Sequence, residues 1–155
     1  MPLHIQSDDY YMDQALIQAE KALEQGEVPV GCVLVAPNGM IIAKSHNQTE
    51  MLNDVTAHAE MIAITAGSDH IGGKYLSQCT LYVTLEPCPM CAAALRWAQI
   101  GKLVYGAEDA KNGYMRFGNE MLHPKTKVLF GIRQDRCEQL MKDFFQQLRL
   151  KKGSS

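Results

Sequence analysis

Two short runs, far apart in the chain, constrain its fold more than any other feature. The first is Thr56-Ala57-His58-Ala59-Glu60-Met61, and the second, about thirty residues later, is Glu86-Pro87-Cys88-Pro89-Met90-Cys91. One imidazole and two thiolates are the donors that hold a tetrahedral Zn²⁺ with a fourth position left for water. Glu60, two residues from the imidazole, is a carboxylate able to handle that water's protons. Any fold that uses this set must bring both runs to one point.

Either run alone says less. Cys-x-x-Cys also occurs as a redox pair or as half of a structural zinc site. A lone histidine is commonly a satisfied core residue, and a lone glutamate a cap or surface carboxylate. A closed structural site would need a fourth ligand, for which Cys79, His46 and His123 are the nearest candidates, and it would leave Glu60 without a task.

At 155 residues the chain fits a single domain, residues 1–155, large enough to bury a core without staples. No apolar run reaches the eighteen or so residues of a membrane span. The opening Met-Pro-Leu-His-Ile-Gln-Ser-Asp-Asp has neither the basic nor the apolar region of a secretory signal, so a cytoplasmic location is expected. Of the five cysteines, two sit at metal-ligand spacing, which argues against a disulfide framework. Cys32, Cys79 and Cys137 fall in apolar patterns and read as small buried hydrophobes.

The net charge of −2 conceals an asymmetry. Residues 1–110 hold 5 of the 15 Lys and Arg and 13 of the 17 Asp and Glu, whereas residues 111–155 hold 10 and 4. A basic segment of this kind is the footprint expected for contact with a phosphate backbone, although a solvated helix face is the commoner meaning of a charge cluster.

Apolar residues recur at helical spacing from Asp8 to Gln25, with Ser7 or Asp8 as cap and Gly26 as stop. Residues 29–36 and 40–45 around Pro37-Asn38-Gly39 predict a hairpin, one strand of which is fully buried. A helix is predicted over 57–66, with His58 in its first turn and the 67–73 stretch breaking it. A strand over 79–85, a helix over 89–100, strands over 102–106 and 127–132, and a final helix over 134–151 complete the pattern. Cys137, Leu140, Met141, Phe144, Phe145 and Leu148 form the apolar side of that last helix. The order predicts an α/β fold, a three-layer α/β/α domain with about five mixed strands. Cys88 and Cys91 then lie at a strand-to-helix junction, where exposed N–H groups and the helix dipole favour thiolates.

His-x-Glu followed by Pro-Cys-x-x-Cys is the signature of nucleobase and nucleoside deaminases, and the resemblance extends further. Through Glu27-Val28-Pro29-Val30-Gly31, Asn47, Thr56 to Glu60, Leu81 to Cys88, Tyr105-Gly106-Ala107 and Phe144-Phe145, the chain resembles the bacterial tRNA-specific adenosine deaminases over nearly its whole length. The resemblance implies a cytidine-deaminase-like fold, a homodimer, one Zn²⁺ per subunit, and conversion of adenosine to inosine at the wobble position of a tRNA anticodon loop. By the same resemblance His58, Cys88 and Cys91 hold the zinc, Glu60 shuttles protons, and Asn47, Val28, Leu85 and Ala59 meet the base. The anticodon stem-loop would be held by Lys111, Arg116, Arg149, Lys151 and Lys152, with one of Phe144 and Phe145 buried and the other near RNA.

Some features depart from that family: the chain is less basic overall than expected of a tRNA binder, and the segment after Asn47, Gln-Thr-Glu-Met-Leu-Asn-Asp, holds no basic residue. The nearest rival is a free nucleobase or nucleoside deaminase of the guanine or cytosine deaminase type, which needs no basic tail. A non-enzymatic, zinc-stabilised RNA-binding module is the third reading.

Overall fold

A computed structural model describes residues 5–153; the first four residues of the opening segment and the last two of the chain lie outside it. The elements follow in the order α1 (Asp8–Glu24), β1 (Gly31–Val35), β2 (Ile41–His46), α2 (Ala59–Ile71), β3 (Thr80–Leu85), α3 (Pro89–Trp97), β4 (Lys102–Ala107), β5 (Lys127–Phe130) and α4 (Gln134–Gly153). Two single-turn 3₁₀ segments, Tyr114–Arg116 and Asn119–Met121, interrupt the loop between β4 and β5.

The strands form one mixed sheet in the order β2-β1-β3-β4-β5. β1 is antiparallel to both β2 and β3, whereas β3, β4 and β5 run parallel. Side chains alternate across the sheet as the period of two demands. Cys32, Leu34, Leu81, Val83, Leu103 and Tyr105 face α2 and α3, while Val33, Val35, Tyr82 and Val104 face α1 and α4. Apolar residues on both sides of β1, β3 and β4 make these strands continuous apolar runs, and the result is the three-layer α/β/α arrangement read from the sequence.

Small residues set how closely the layers approach. Ser7 caps α1 by accepting the Tyr10 N–H, and Gly26 ends it at φ 75°. Ala15 and Ala19 of α1 press directly on Gly31, where a Cβ would overlap the Ala15 carbonyl and the Ala19 nitrogen. Gly31 is therefore glycine for contact distance.

Three element readings change. Gly67 does not break α2: it is buried inside the helix, because a Cβ there would overlap Leu34, and the stop falls at Gly72, in the left-handed region at φ 78°. His58 is the extended N-cap residue of α2 rather than part of its first turn, whereas Cys88, the N-cap of α3, stands at the strand-to-helix junction where the sequence places it. On α4 only Cys137 and Leu140 are buried, packed in the cluster of α1 and the sheet, while Phe145 and Leu148 are exposed and Phe144 is half-buried. The helix is tied to α1 by two exposed ion pairs, Arg133 with Asp13 and Arg136 with Glu20, each worth little in water. Cys32, Cys79 and Cys137 are buried, as their apolar context predicts. Among the described residues no helix is long and apolar enough to cross a membrane.

Candidate metal centre and pocket

The topology gathers one end of every central strand. Because β1 is antiparallel to β3, the start of β1 lies beside the end of β3, and the ends of β2 and β4 fall at the same edge. The N-termini of α2 and α3 open there too, so their N-cap side chains converge. His58 Nδ1 stands 3.6 Å from Cys88 Sγ and 3.5 Å from Cys91 Sγ.

Those distances test a zinc ion directly. With Zn–N near 2.0–2.1 Å and Zn–S near 2.3 Å, a tetrahedral ion separates nitrogen from sulfur by about 3.6 Å. The two nitrogen–sulfur distances match that edge, and all three donor atoms lie within 4.8 Å of one another. Protonation points the same way. The hydrogen bond from the Cys91 thiol, helped by His58, draws Cys88 down to about 4. Cys91 then keeps its proton, its thiol raised first by that same bond to Cys88 and then by burial. A dication replaces the retained proton and lets both sulfurs bind as thiolates.

Among the described residues the metal-competent cluster consists of these three. Cys79 and His123 line a separate hollow at the opposite end of the sheet, and His46 faces Gln25 and Gln18. None of the three candidates for a closed fourth position joins the cluster.

Glu60, in the first turn of α2, is 3% exposed and lines the pocket beside His58 and Cys88. Burial pushes its carboxyl up to about 7, against a lowering pull from its own backbone N–H. A carboxyl poised there exchanges protons in both directions near neutral pH.

The pocket holds about 430 Å³ and is lined by Val28, Val30, Asn47, Thr49, His58, Glu60, Leu85, Glu86, Cys88, Pro89, Asp109, Asn112 and Arg116. Asn47 is buried and its Oδ1 accepts the Ala59 N–H at 2.8 Å, so what it can offer a ligand is the donor Nδ2. Ala59 sits behind the lining, fully buried, with its carbonyl accepting the Ser45 hydroxyl. Val28 and Leu85 belong both to the pocket and to an adjoining groove bordered by Ala107 to Asn112, Glu138, Met141, Lys142 and Phe145. Lys111 borders that groove and Arg116 the pocket mouth. Arg149, Lys151 and Lys152 lie on the exposed end of α4 and line neither.

The sequence reading passed over Thr49, Asp109, Asn112, Lys142 and two buried carboxylates, Glu27 and Glu86. The two glutamates carried a signal, since each stands just ahead of a proline in a segment that leads into the pocket wall: Glu27-Val28-Pro29 and Glu86-Pro87.

Comparison with known proteins agrees with this site. Residues 5–107 match the family described as the cytidine and deoxycytidylate deaminase zinc-binding region. The tRNA-specific adenosine deaminase of Streptococcus pyogenes is 39% identical over 100% of both chains. That of Bacillus subtilis is 42% identical over 96% of this chain and 94% of its own. A solved structure from work on A-to-I editing by tRNA:A34 deaminases at the wobble position superimposes with a TM-score of 0.79 and 41% identity, covering 84% of this chain and 98% of its own.

Proposed function

The chain belongs to the cytidine and deoxycytidylate deaminase zinc-binding family, and from that premise we propose that it deaminates the wobble adenosine of a tRNA anticodon loop to inosine. Adenosine and water give inosine and ammonia. The observation that carries the reading is a ligand triad and a buried glutamate in one pocket that opens onto a groove bordered by Lys111, Lys142 and an exposed Phe145. A free base needs the pocket alone; a groove continuing past it suits a base carried on a polynucleotide.

His58, Cys88 and Cys91 would hold the zinc. When bound, the metal supplies Lewis acidity that lets water attack at neutral pH. Glu60 accepts one proton from the attacking water and passes it to a ring nitrogen so that the adjacent carbon becomes electrophilic; it then takes the remaining O–H proton of the added oxygen and gives it to the departing amine, which leaves as ammonia while the carbonyl forms. This acid and base work is typically worth about 10² to 10⁴ in rate. Asn47 directs its Nδ2 to an acceptor on the purine, while Val28 and Leu85 press on the faces of the flipped base and exclude bulk water. Lys111 and Arg116 meet the flanking phosphates, and Arg149, Lys151 and Lys152 extend the basic surface along α4.

A homodimer accompanies this reading. A shallow hollow of about 540 Å³, in which Leu52, Ala57, Met61, Ile62 and Ala66 are bordered by Asp54, Thr56, Thr65 and Asp69, offers apolar surface with a polar rim of the kind a second copy covers. A tRNA substrate implies an enzyme of the cytoplasm.

Position tests the assignment. An anticodon stem-loop with adenosine at the wobble position should gain inosine there, read by nucleoside mass spectrometry and sequencing. Moving the adenosine one nucleotide along the loop should abolish the product, and equal conversion at both positions would overturn the assignment.

A further inference from the structure

Glu27 and Glu86 are 1% and 6% exposed, and neither belongs to the proton chemistry. Burying a carboxylate is costly unless hydrogen bonds replace its water. In both cases the donors come from the loops that form the lips of the pocket. Glu27 Oε1 accepts the Thr49 hydroxyl at 3.2 Å, both of its oxygens accept the Glu50 N–H at 3.1 Å, and Oε2 accepts the Met51 N–H at 2.8 Å. Glu86 Oε1 accepts the Asp109 N–H at 3.1 Å and Oε2 the Met115 N–H at 3.1 Å.

The two arrangements are alike in what they connect. Glu27 is the neighbour of the wall residue Val28 and holds the lip that carries Thr49. Glu86 lies between the wall residue Leu85 and the ligand Cys88, and holds the lip that carries Asp109, Asn112 and Arg116. The second lip is pressed onto its carboxylate, because a Cβ at Gly113 would overlap Glu86 Oε2. Its far side is held separately, by Tyr114, whose N–H bonds the Pro87 carbonyl at 2.9 Å and whose ring is fully buried. Removing the carboxylate bonds therefore shifts the lip without unravelling it.

We infer that Glu27 and Glu86 are a pair of positioning residues that lock the two lips of the pocket to its walls and so set the mouth through which the nucleotide enters. The inference rests on the deaminase reading of the site. Glutamine is a sharp probe, since both oxygens of each carboxylate face N–H groups and an amide must turn its own NH₂ toward one of them. Gly113→Ala attacks the second attachment from the loop side and leaves the carboxylate intact.

The test uses zinc-loaded wild type, Glu27→Gln, Glu86→Gln and Gly113→Ala on an anticodon stem-loop, with zinc content and amide hydrogen exchange measured on each. All three variants should keep their zinc and most of their kcat while KM rises by about ten- to a hundredfold, because a lip displaced on the order of 1 Å weakens binding of ground and transition states alike. Exchange should quicken at residues 49–51 for the first variant and 109–115 for the other two, with the sheet unaffected. Unchanged KM with local exchange as in wild type would overturn the inference, as would fast exchange spread through the sheet. Should Glu27→Gln not fold, Glu27→Asp, shorter by one methylene, is judged by the same readouts. If wild type leaves the RNA adenosine untouched, the substrate reading has failed, and hydrogen exchange alone decides whether the carboxylates hold the lips.

Discussion

On the proposed reading Glu60 handles proton transfer and the ligand triad metal retention, and single substitutions separate the two. Glu60→Gln keeps the shape and the three ligands but can no longer accept a proton, so it should retain about one zinc per chain and lose about 10² to 10⁴ in kcat. Metal analysis beside turnover checks this, and an unchanged rate would remove Glu60 from the mechanism. Cys88→Ser should lose the metal. Dialysis against a chelator should do the same to the wild type, abolishing activity and lowering the melting temperature, since a ligand that binds only the folded state stabilises it. That the two runs would meet was legible because His-x-Glu paired with Pro-Cys-x-x-Cys resembles a known deaminase signature, whereas either run alone has other uses. Glu27 and Glu86 were not, because an isolated glutamate reads as solvated until the backbone N–H groups around it are seen. For Asn47 the bond from the Ala59 N–H to its Oδ1, which leaves the Nδ2 end unused by that contact, depended on where α2 begins.

The elements were legible where periodicity and caps agree. Short apolar runs placed β1, β3 and β4, and Ser7 and Gly26 bounded α1. The misreadings came from glycine, whose two uses look identical in a sequence. Gly67 is inside α2 for contact with Leu34, whereas Gly72 ends that helix at positive φ. Close contact makes its own prediction at Gly31, where β1 meets α1: Gly31→Ala should lower the unfolding free energy by about 1–3 kcal/mol in urea titration, the usual cost of overpacking. A change within about 0.5 kcal/mol would mean that α1 can move aside freely. The exposed outer part of α4 was read as packed because its apolar spacing continues past the buried Leu140, and spacing carries no information about what lies opposite.

Across the whole molecule, chemistry and charge occupy different parts of the chain: the ligands and Glu60 fall in its acidic two-thirds, and most of the cations follow Lys111. Residues 146–153 are exposed, so truncation after Phe145 should leave the melting temperature nearly unchanged. The same truncation should weaken RNA binding and flatten its salt dependence, by about 0.7 in the log–log slope for each single-strand phosphate that is no longer neutralised. Equal affinity and equal slope would confine α4's end to solubility. Substrate choice is the point on which the account depends, because the triad and Glu60 would serve a free-base deaminase equally well. The direct measurement is kcat/KM for an anticodon stem-loop carrying a wobble adenosine, set beside free guanine, cytosine and adenosine under the same conditions. The stem-loop should be converted efficiently to inosine with little turnover of the free compounds; rapid deamination of guanine or cytosine with the RNA left unchanged would contradict the account.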